Sequence, residues 1–73
     1  MADIDKIPCS SSNVDGYGYN PETLTLRIWY LNGTIYDYSP VPQAEFDGLS
    51  CSPSIGSYLA RSIKGVYGYV KVG

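Results

Sequence analysis

The feature that most constrains the fold is a β-hairpin signature between residues 23 and 39. β-Branched and aromatic residues alternate with a period of two over Thr23–Leu31, which predicts a half-buried strand. The Asn32-Gly33 pair comes next, and Asn-Gly is the strongest short-range signal for a tight turn between two strands. We therefore predict that Thr34–Ser39 returns alongside the first strand.

Charge and burial distinguish two possible registers for this hairpin. A two-residue loop would place Ile28 opposite Asp37 and point a carboxylate at the core. A three-residue loop, with Gly33 in the left-handed conformation, instead pairs Arg27 with Asp37. It also places Ile28 opposite Tyr36, so this register satisfies the charges and is the one we predict. The core face of the hairpin then contains Leu24, Leu26, Ile28, Tyr36 and Tyr38.

Two short helices are predicted after the hairpin, which ends at prolines that cannot donate to a β-ladder. The first helix covers residues 42–49 and buries Phe46 and Leu49. The second begins where Ser52 or Ser54 supplies the N-cap. Its apolar residues fall at helical spacing, and the predicted buried stripe contains Ile55, Tyr58, Leu59 and Ile63.

The complete pattern predicts one α+β domain with a small antiparallel sheet and two short helices. The sheet has about four strands, in the chain order β-β-β-α-α-β, with a first strand near residues 13–19 and a last strand at 66–72. Residues 1–10 are predicted to be a loose N-terminal lead-in, so the domain itself covers residues 11–73. A chain of 73 residues has a thin core, since short domains bury only about 60% of their unfolded surface.

Composition argues against several classes of function. The chain has no histidine and only two cysteines, Cys9 and Cys51, which cannot form a four-ligand zinc site or an activated catalytic thiol. Its acidic residues show no paired spacing suited to acid–base catalysis. We therefore predict a protein that is not an enzyme and needs no metal or other cofactor. The two thiols are expected to be reduced, with a Cys9–Cys51 disulfide as the alternative.

Charge is unevenly distributed along the chain. The net charge is −2 and the pI about 4.6, whereas proteins that bind long nucleic acids usually have a large basic excess. No acidic residue follows position 50, although three basic residues do, so any anion-binding surface is predicted in the last third of the chain. The acidic N-terminus is unlike a signal peptide and no apolar run is long enough to span a membrane, which predicts a cytoplasmic protein.

A series of short motifs runs through most of the chain in a fixed order. They are Ser11-Ser12-Asn13, Tyr19, Asn32-Gly33, Tyr36-Asp37-Tyr38, Val41-Pro42, Ser54, Gly56, Tyr58, Ile63-Lys64-Gly65 and Tyr67. Their order and spacing over about residues 11–71 resemble the KTSC domain family, which is known as a C-terminal extension of some lysyl-tRNA synthetases and as stand-alone bacterial and phage proteins. The resemblance implies a small sheet with helices against it, RNA binding, and a location in a bacterium or, for a phage protein, in the cytoplasm of its host.

Three Tyr-x-Tyr pairs are the main candidate ligand-binding features. Residues two apart in a strand share a face, so each pair would present two adjacent rings. Such rings form a stacking platform for nucleic-acid bases, although tyrosine is equally suited to the edge of a core. The pairs are Tyr17 with Tyr19, Tyr36 with Tyr38, and Tyr67 with Tyr69, and the last two pairs are the predicted binding rings.

Polar residues around the second helix are the second candidate feature. The helix begins near Ser54 and Ser57, where free amides favour an anion, and Arg61 lies one α-helical turn beyond Ser57. Together with Lys64 these residues are predicted to bind a phosphate. The alternative is an ordinary serine cap followed by a solvated polar helix face.

Two functional hypotheses follow from these features. The first is a non-catalytic module that binds a nucleotide-type ligand, either a small phosphorylated nucleotide or a short RNA. A small nucleotide held between subunits would suit a phage protein that sequesters a signalling molecule. The alternative is a protein-interaction module that acts through an apolar patch of Trp29, Leu31 and Ile35 on the second face of the sheet. The same patch would support a homo-oligomer.

Overall fold

The computed structural model describes residues 4–9 and 11–73, which form a five-stranded antiparallel sheet with two helices. Each strand pairs with the next along the chain, and both helices follow β4 and precede β5 in the sequence. This arrangement confirms the predicted α+β fold. The strands are β1 (Ile7–Pro8), β2 (Val14–Asn20), β3 (Thr25–Tyr30), β4 (Ile35–Tyr38) and β5 (Tyr69–Lys71). The helices are α1 (Gln43–Ser50) and α2 (Ile55–Tyr58), and α2 continues as a π-helical segment, Leu59–Ile63.

The register predicted for the β3–β4 hairpin is confirmed. Arg27 pairs with Asp37 and Ile28 with Tyr36, and the Tyr30 amide donates to the Thr34 carbonyl at 2.9 Å, which leaves the three residues 31–33 in the turn. The Arg27 guanidinium donates to both Asp37 carboxylate oxygens, at 2.7 and 2.9 Å. Gly33 has a φ of 91°, the left-handed conformation that the three-residue loop requires. Opposite charge and turn geometry therefore select the same register.

Leu24 does not belong to the core face, contrary to the prediction. It lies in the turn before β3 with a φ of 57°, and its side chain is 39% exposed. The turn places the Leu24 carbonyl where it accepts a hydrogen bond from the Val41 amide, at 2.8 Å. Val41 is fully buried, so it occupies core space on this side of the hairpin.

The N-terminal lead-in contains a fifth strand that the sequence did not predict. In β1, Ile7 pairs with Tyr17 and Pro8 with Gly16, while residues 1–3 and 10 lie outside the described part of the chain. The preceding backbone passes closely over Gly18, where a Cβ atom would lie 2.3 Å from the Asp5 carbonyl oxygen. This contact needs glycine, which gives the Gly-Tyr-Gly run of β2 a packing role.

The helices follow the predicted pattern with two differences. Pro42 is the residue that precedes α1, and Ser54 caps α2 by accepting a hydrogen bond from the Ser57 amide. The first difference is the π-helical end of the second helix, in which the Lys64 amide donates to the Leu59 carbonyl at 2.7 Å. The second is that two residues predicted to be buried, Phe46 in α1 and Tyr58 in α2, are only partly buried. The core contains Val14, Tyr17, Leu26, Ile28, Tyr38, Val41, Leu49, Ile55, Leu59 and Ile63.

The last strand is shorter than the predicted 66–72. The chain turns at Gly65, which has a φ of 77°, and Val66 is exposed in that turn. Pairing with β4 begins only at Tyr69, opposite Tyr38. Tyr67 therefore lies outside the strand, and it does not share a strand face with Tyr69.

Other sequence predictions concern the membrane and the thiols. None of the helices within residues 4–9 and 11–73 combines the length and apolarity needed to cross a membrane. Cys9 and Cys51 are separate free thiols, so the alternative disulfide does not form. Across the described residues, no group of three or more thiol and carboxylate side chains is arranged to hold a metal ion.

Candidate ligand-binding groove

A groove of about 630 Å³ opens beside the end of the β3–β4 hairpin, next to β5. Its volume is typical of small-molecule sites, which measure about 300–1,000 Å³. We call it the tyrosine groove because four tyrosines belong to its lining. The lining residues are Ser12, Asn13, Tyr30, Leu31, Asn32, Tyr36, Tyr38, Lys64, Gly65 and Tyr69.

The register of the sheet brings the four rings of the tyrosine groove together. The Tyr69 ring meets the Tyr36 ring edge-on, with centroids 5.0 Å apart, and lies 5.7 Å from Tyr38. Tyr30 meets Tyr36 edge-on as well, at 5.6 Å. Tyr69 is 61% exposed because it lies on the edge strand β5. The groove thus has a packed aromatic floor and one largely open ring.

Two phenol hydroxyls are hydrogen-bonded to each other in this floor. The Tyr30 and Tyr38 oxygens lie 3.1 Å apart. Burial raises the pKa of Tyr30 strongly, and its hydrogen bond with Tyr38 adds to the rise. Burial also raises the pKa of Tyr38, although its hydrogen bond with Tyr30 acts in the opposite direction. Both hydroxyls therefore stay protonated at neutral pH, and the pair has a donor and acceptors left for a ligand.

Lys64 supplies the charge of the tyrosine groove. Its Nζ atom lies 5.2 Å from the centroid of the Tyr30 ring, within the range of a cation–π contact. The π-helical segment positions it, because the Lys64 amide closes the last wide turn onto Leu59. None of the described lining residues is acidic, although the whole chain has a net charge of −2. The groove is therefore locally positive.

A second, more polar groove of about 440 Å³ adjoins the first. We call it the serine groove. Ser12 and Asn13 belong to the linings of both grooves. The serine groove is lined by Ser11, Ser12, Asn13, Pro53, Ser54, Gly56, Ser57 and Ala60.

Comparison with known proteins identifies the family. A family model described as the KTSC domain matches residues 10–67, which is most of the chain. The chain belongs to the KTSC domain family. A solved KTSC domain protein from Yersinia pestis superposes on this KTSC domain with a TM-score of 0.93, at 28% identity, over 97% of this chain and 100% of that one. The fold and the resemblance expected from the sequence are both confirmed.

Curated relatives of this KTSC domain are two lysine–tRNA ligases. The ligase of Nostoc sp. is 38% identical over 58 residues, and that of Trichormus variabilis is 34% identical over 58 residues. Each match covers 80% of this chain but only 10% of the ligase. The chain thus corresponds to a small part of each ligase.

The structure brings together four of the predicted binding residues and separates the others. Tyr36, Tyr38, Tyr69 and Lys64 all line the tyrosine groove. Ser54 and Ser57 line the adjoining serine groove instead. Arg61 is in the lining of neither groove. Its predicted alignment with Ser57 assumed an α-helix, whereas Leu59–Ile63 is π-helical and winds in a wider turn.

Tyr67 has a structural contact away from both grooves. Its hydroxyl donates to one oxygen of Glu45 at 3.2 Å, and the Tyr58 hydroxyl donates to the other at 2.6 Å. Burial and the nearby Glu45 carboxylate raise the pKa of Tyr67. For Tyr58 the hydrogen bond to Glu45 is the main cause of a raised pKa. One carboxylate thus joins α1 to α2 and to the segment before β5.

The pair Tyr17 and Tyr19 also belongs to the packing of the domain. The Tyr19 ring stacks on Phe46 with centroids 4.9 Å apart, and the Tyr17 ring is tilted against Phe46 at 6.0 Å. The Tyr19 hydroxyl donates to the Val41 carbonyl. Of the three Tyr-x-Tyr pairs, this one packs against the core through Phe46.

The predicted interface residues do not form one patch. Trp29 and Ile35 are cross-strand neighbours on the sheet face opposite the core. Leu31 lies in the hairpin loop, where it is 57% exposed and lines the tyrosine groove. The Trp29 ring lies 6.0 Å from both Lys6 Nζ and Arg27 Cζ, so two cations flank it. Loop geometry separates Leu31 from the other two, because the strand period of two ends at Tyr30.

Sequence reasoning missed several lining residues of the tyrosine groove. Tyr30 had a detectable signal, because it follows Ile28 by two residues and therefore lies on the same strand face as the predicted rings. Asn13 reaches the groove through tertiary structure, where its carbonyl accepts from the Leu31 amide at 3.0 Å, so its strand position did not predict it. The other lining residues that were not predicted as binding residues are Ser12, Asn32 and Gly65.

Proposed function

We propose that this KTSC domain is a non-catalytic module that binds a nucleotide-type ligand in the tyrosine groove. The ligand is either a small phosphorylated nucleotide or the end of a short single-stranded RNA, which present the same base, sugar and phosphate. The observation behind the proposal is the convergence of four tyrosine rings and one lysine, with no acidic residue among the described lining.

The rings suit the base of such a ligand. Stacking of a base on an aromatic side chain contributes about 1–3 kcal/mol and tolerates different bases. Tyr69 has the exposed ring, and the edge-on contact with Tyr36 holds it in place. The base would stack on Tyr69, above a floor formed by Tyr36 and Tyr38.

Polar groups at the rim suit the edge of the base. The Asn32 side-chain oxygen accepts from the Thr34 amide at 2.9 Å, which fixes the orientation of the side-chain amide. Among the described residues the Asn32 amino group has no hydrogen-bond partner, so it remains a donor for the ligand. The Tyr30–Tyr38 hydroxyl pair contributes one further donor.

Lys64 suits the phosphate. A lysine ammonium binds phosphate as a point charge, and each neutralised phosphate releases counterions. With one cation among its described lining residues, the groove favours a ligand with few phosphates over a duplex. The relationship to lysine–tRNA ligases supports RNA as one source of the ligand, since the name of those proteins includes tRNA.

The absence of catalysis is part of the proposal. The chain has no histidine, and the raised pKa values of Tyr30 and Tyr38 keep both hydroxyls neutral near pH 7. A neutral phenol is a poor general base at that pH. These groups therefore suit recognition of a ligand.

The test is a calorimetric titration of the domain with 5′-mononucleotides and short single-stranded RNAs at several salt concentrations. Tyr69→Ala should raise the Kd about 10-fold or more through loss of stacking. Lys64→Gln should lower the slope of log Kd against log salt by about 0.7, the value for one contact with a single-stranded phosphate.

Lys71→Gln is the matched control, because Lys71 is an exposed cation on β5 that is in the lining of neither groove. It should leave affinity within about twofold, consistent with a screened surface charge. Binding that is insensitive to both Tyr69→Ala and Lys64→Gln would contradict the proposed site. Tighter binding of RNA than of mononucleotides would identify RNA as the source.

A second candidate function is protein interaction through the sheet face that contains Trp29 and Ile35. Val70 pairs with Asp37 beside these residues and is 65% exposed, which gives this face an apolar edge. Such an edge would suit another protein or a second copy of the domain. Under this function, Lys64→Gln and Tyr69→Ala would leave partner binding unchanged.

A further inference from the structure

We infer that the serine groove binds a second sugar–phosphate unit of the same ligand, so that the preferred ligand is a phosphodiester-linked dinucleotide or a strand end of that length. This inference rests on the proposed function of the tyrosine groove. It concerns the length and chemistry of the ligand, which the tyrosine groove alone does not specify.

The two grooves adjoin each other at shared lining residues. Ser12 and Asn13 form a common wall, since both residues line both grooves. The hydrogen bond from the Leu31 amide to the Asn13 carbonyl fixes this wall against the hairpin loop. A ligand whose base lies on the tyrosines would therefore continue past Ser12 and Asn13 into the serine groove.

The linings of the two grooves differ in chemistry. Among the described residues, four serines and no aromatic side chain line the second groove, whereas four tyrosines line the first. Two of the serine hydroxyls have internal partners: Ser54 accepts from the Ser57 amide and Ser11 donates to Asn13. The Ser12 and Ser57 hydroxyls make no hydrogen bond within the described part of the chain. They are suited to sugar hydroxyls and phosphodiester oxygens.

The walls of the serine groove meet at Gly56. A Cβ atom there would lie 3.0 Å from the Asn13 side-chain oxygen and 3.3 Å from the Ser11 hydroxyl oxygen. Helix α2 and the segment 11–13 are thus in near contact at this point. Gly56 therefore lets the two sides of the groove approach each other closely.

Charge limits the class of ligand. The described lining of the serine groove contains neither an acidic nor a basic residue. A single phosphodiester charge remains hydrated in such a groove, whereas a triphosphate needs several cations or a metal ion. The geometry therefore points to a second nucleotide unit and not to a longer phosphate chain.

The test compares ligands of different length on the intact chain. Isothermal titration would use the four 5′-mononucleotides, the four homodinucleotides with a 5′-phosphate, and the nucleoside triphosphates. We expect a dinucleotide to bind at least 10-fold more tightly than its mononucleotide, and the triphosphate to show no comparable gain. The affinity of an octanucleotide is then compared with that of the dinucleotide. Equal affinity indicates that the ligand is a free dinucleotide, and higher affinity indicates the end of a strand.

Two variants test whether the tighter binding of dinucleotides over mononucleotides depends on the serine groove. Ser57→Ala removes a hydroxyl without an internal partner, and Ala60→Leu narrows the groove at an exposed position. Each variant should lower the ratio of dinucleotide affinity to mononucleotide affinity to less than threefold, while mononucleotide affinity stays unchanged. Ser50→Ala is the control, since Ser50 is exposed at the end of α1 and is in the lining of neither groove.

The failures of the two proposals are distinguishable. Equal affinity for mononucleotides and dinucleotides, or a gain that survives in both serine-groove variants, would overturn this inference and leave the proposed function intact. Lack of binding to nucleotides of any length by the wild-type chain would overturn both. Circular dichroism of each variant confirms that it is folded.

Discussion

At the scale of single residues, the environment of each tyrosine determines its role. The chain has eight tyrosines and only one phenylalanine, so some tyrosine rings must fill the core. Tyr17 and Tyr19 do so by packing on Phe46. Tyr69 lies on an edge strand and is 61% exposed, so its ring is available for a ligand. The same side chain thus supports packing in one place and recognition in another.

Gly18 is the position with the least space for a side chain. A Cβ atom there would lie 2.3 Å from the Asp5 carbonyl oxygen, so Gly18→Ala must displace the segment before β1. We expect a loss of about 1–3 kcal/mol in the free energy of unfolding, typical of overpacking against backbone. Urea denaturation would measure the change.

Gly68→Ala is the matched control for Gly18→Ala. The nearest atom to a Cβ at Gly68 is the Ser39 carbonyl oxygen at 3.8 Å, an ordinary van der Waals distance. This variant should lose no stability. Equal stability of Gly18→Ala and the wild type would show that the N-terminal segment does not pack on β2 in solution.

At the scale of secondary-structure elements, the β3–β4 hairpin determines the position of the tyrosine groove. Its three-residue loop aligns Ile28 with Tyr36, which places Tyr36 and Tyr38 on the same face as Tyr30. The loop itself contributes Leu31 and Asn32 to the lining. A register slip of one residue would move these rings to the other face and remove the groove.

Substitution of Gly33 tests whether the β3–β4 hairpin turn requires a left-handed residue. The Gly33 φ of 91° lies in the left-handed region, and no atom of the described residues lies within 4 Å of a Cβ at this position, so backbone strain is the expected effect of a side chain. Gly33→Ala should destabilise the domain by about 1 kcal/mol or slightly more. Gly33→Asn should lose less, because asparagine tolerates the left-handed region.

Thermal unfolding of the two Gly33 variants would separate backbone strain from packing. A larger loss for asparagine than for alanine would point to a steric contact and contradict the loop geometry. The same comparison made on nucleotide affinity would show how closely the groove depends on the hairpin turn.

At the scale of the whole molecule, buried and hydrogen-bonded phenols make the domain less stable as the pH rises above about 10. Six hydroxyls have pKa values raised above the usual tyrosine value of 10, those of Tyr17, Tyr19, Tyr30, Tyr38, Tyr58 and Tyr67. The unfolded chain releases these protons at lower pH than the folded chain does. Their contribution is therefore fully present below about pH 10 and is lost as the pH rises further.

We expect the urea midpoint to fall between pH 8 and pH 11, followed through the fluorescence of the single tryptophan, Trp29. Tyr30→Phe removes a hydroxyl whose pKa is strongly raised and should show a smaller fall over the same interval. A midpoint that stays constant from pH 8 to pH 11 would contradict the burial of these hydroxyls.

Local rules were enough to predict much of this fold from the sequence. Alternation and the Asn-Gly turn fixed the hairpin and its register, and helical spacing found the buried residues Ile55, Leu59 and Ile63, because these features depend on near neighbours. Strand parity likewise placed Tyr36 and Tyr38 on one face. Two of the eight predicted binding residues, Tyr36 and Tyr38, line the tyrosine groove for this reason.

Tertiary structure alone decided the remaining features, because they depend on segments distant in the sequence. The pairing of β1 with β2 requires close backbone contact at Gly18, and the position of Lys64 depends on a π-helical turn that α-helical spacing does not predict. Asn13 joins the two grooves only through its hydrogen bond to the hairpin loop. The sequence by itself thus determined the strands β2 to β4, the turn and the aromatic face, whereas long-range packing determined where the grooves open and which polar groups meet there.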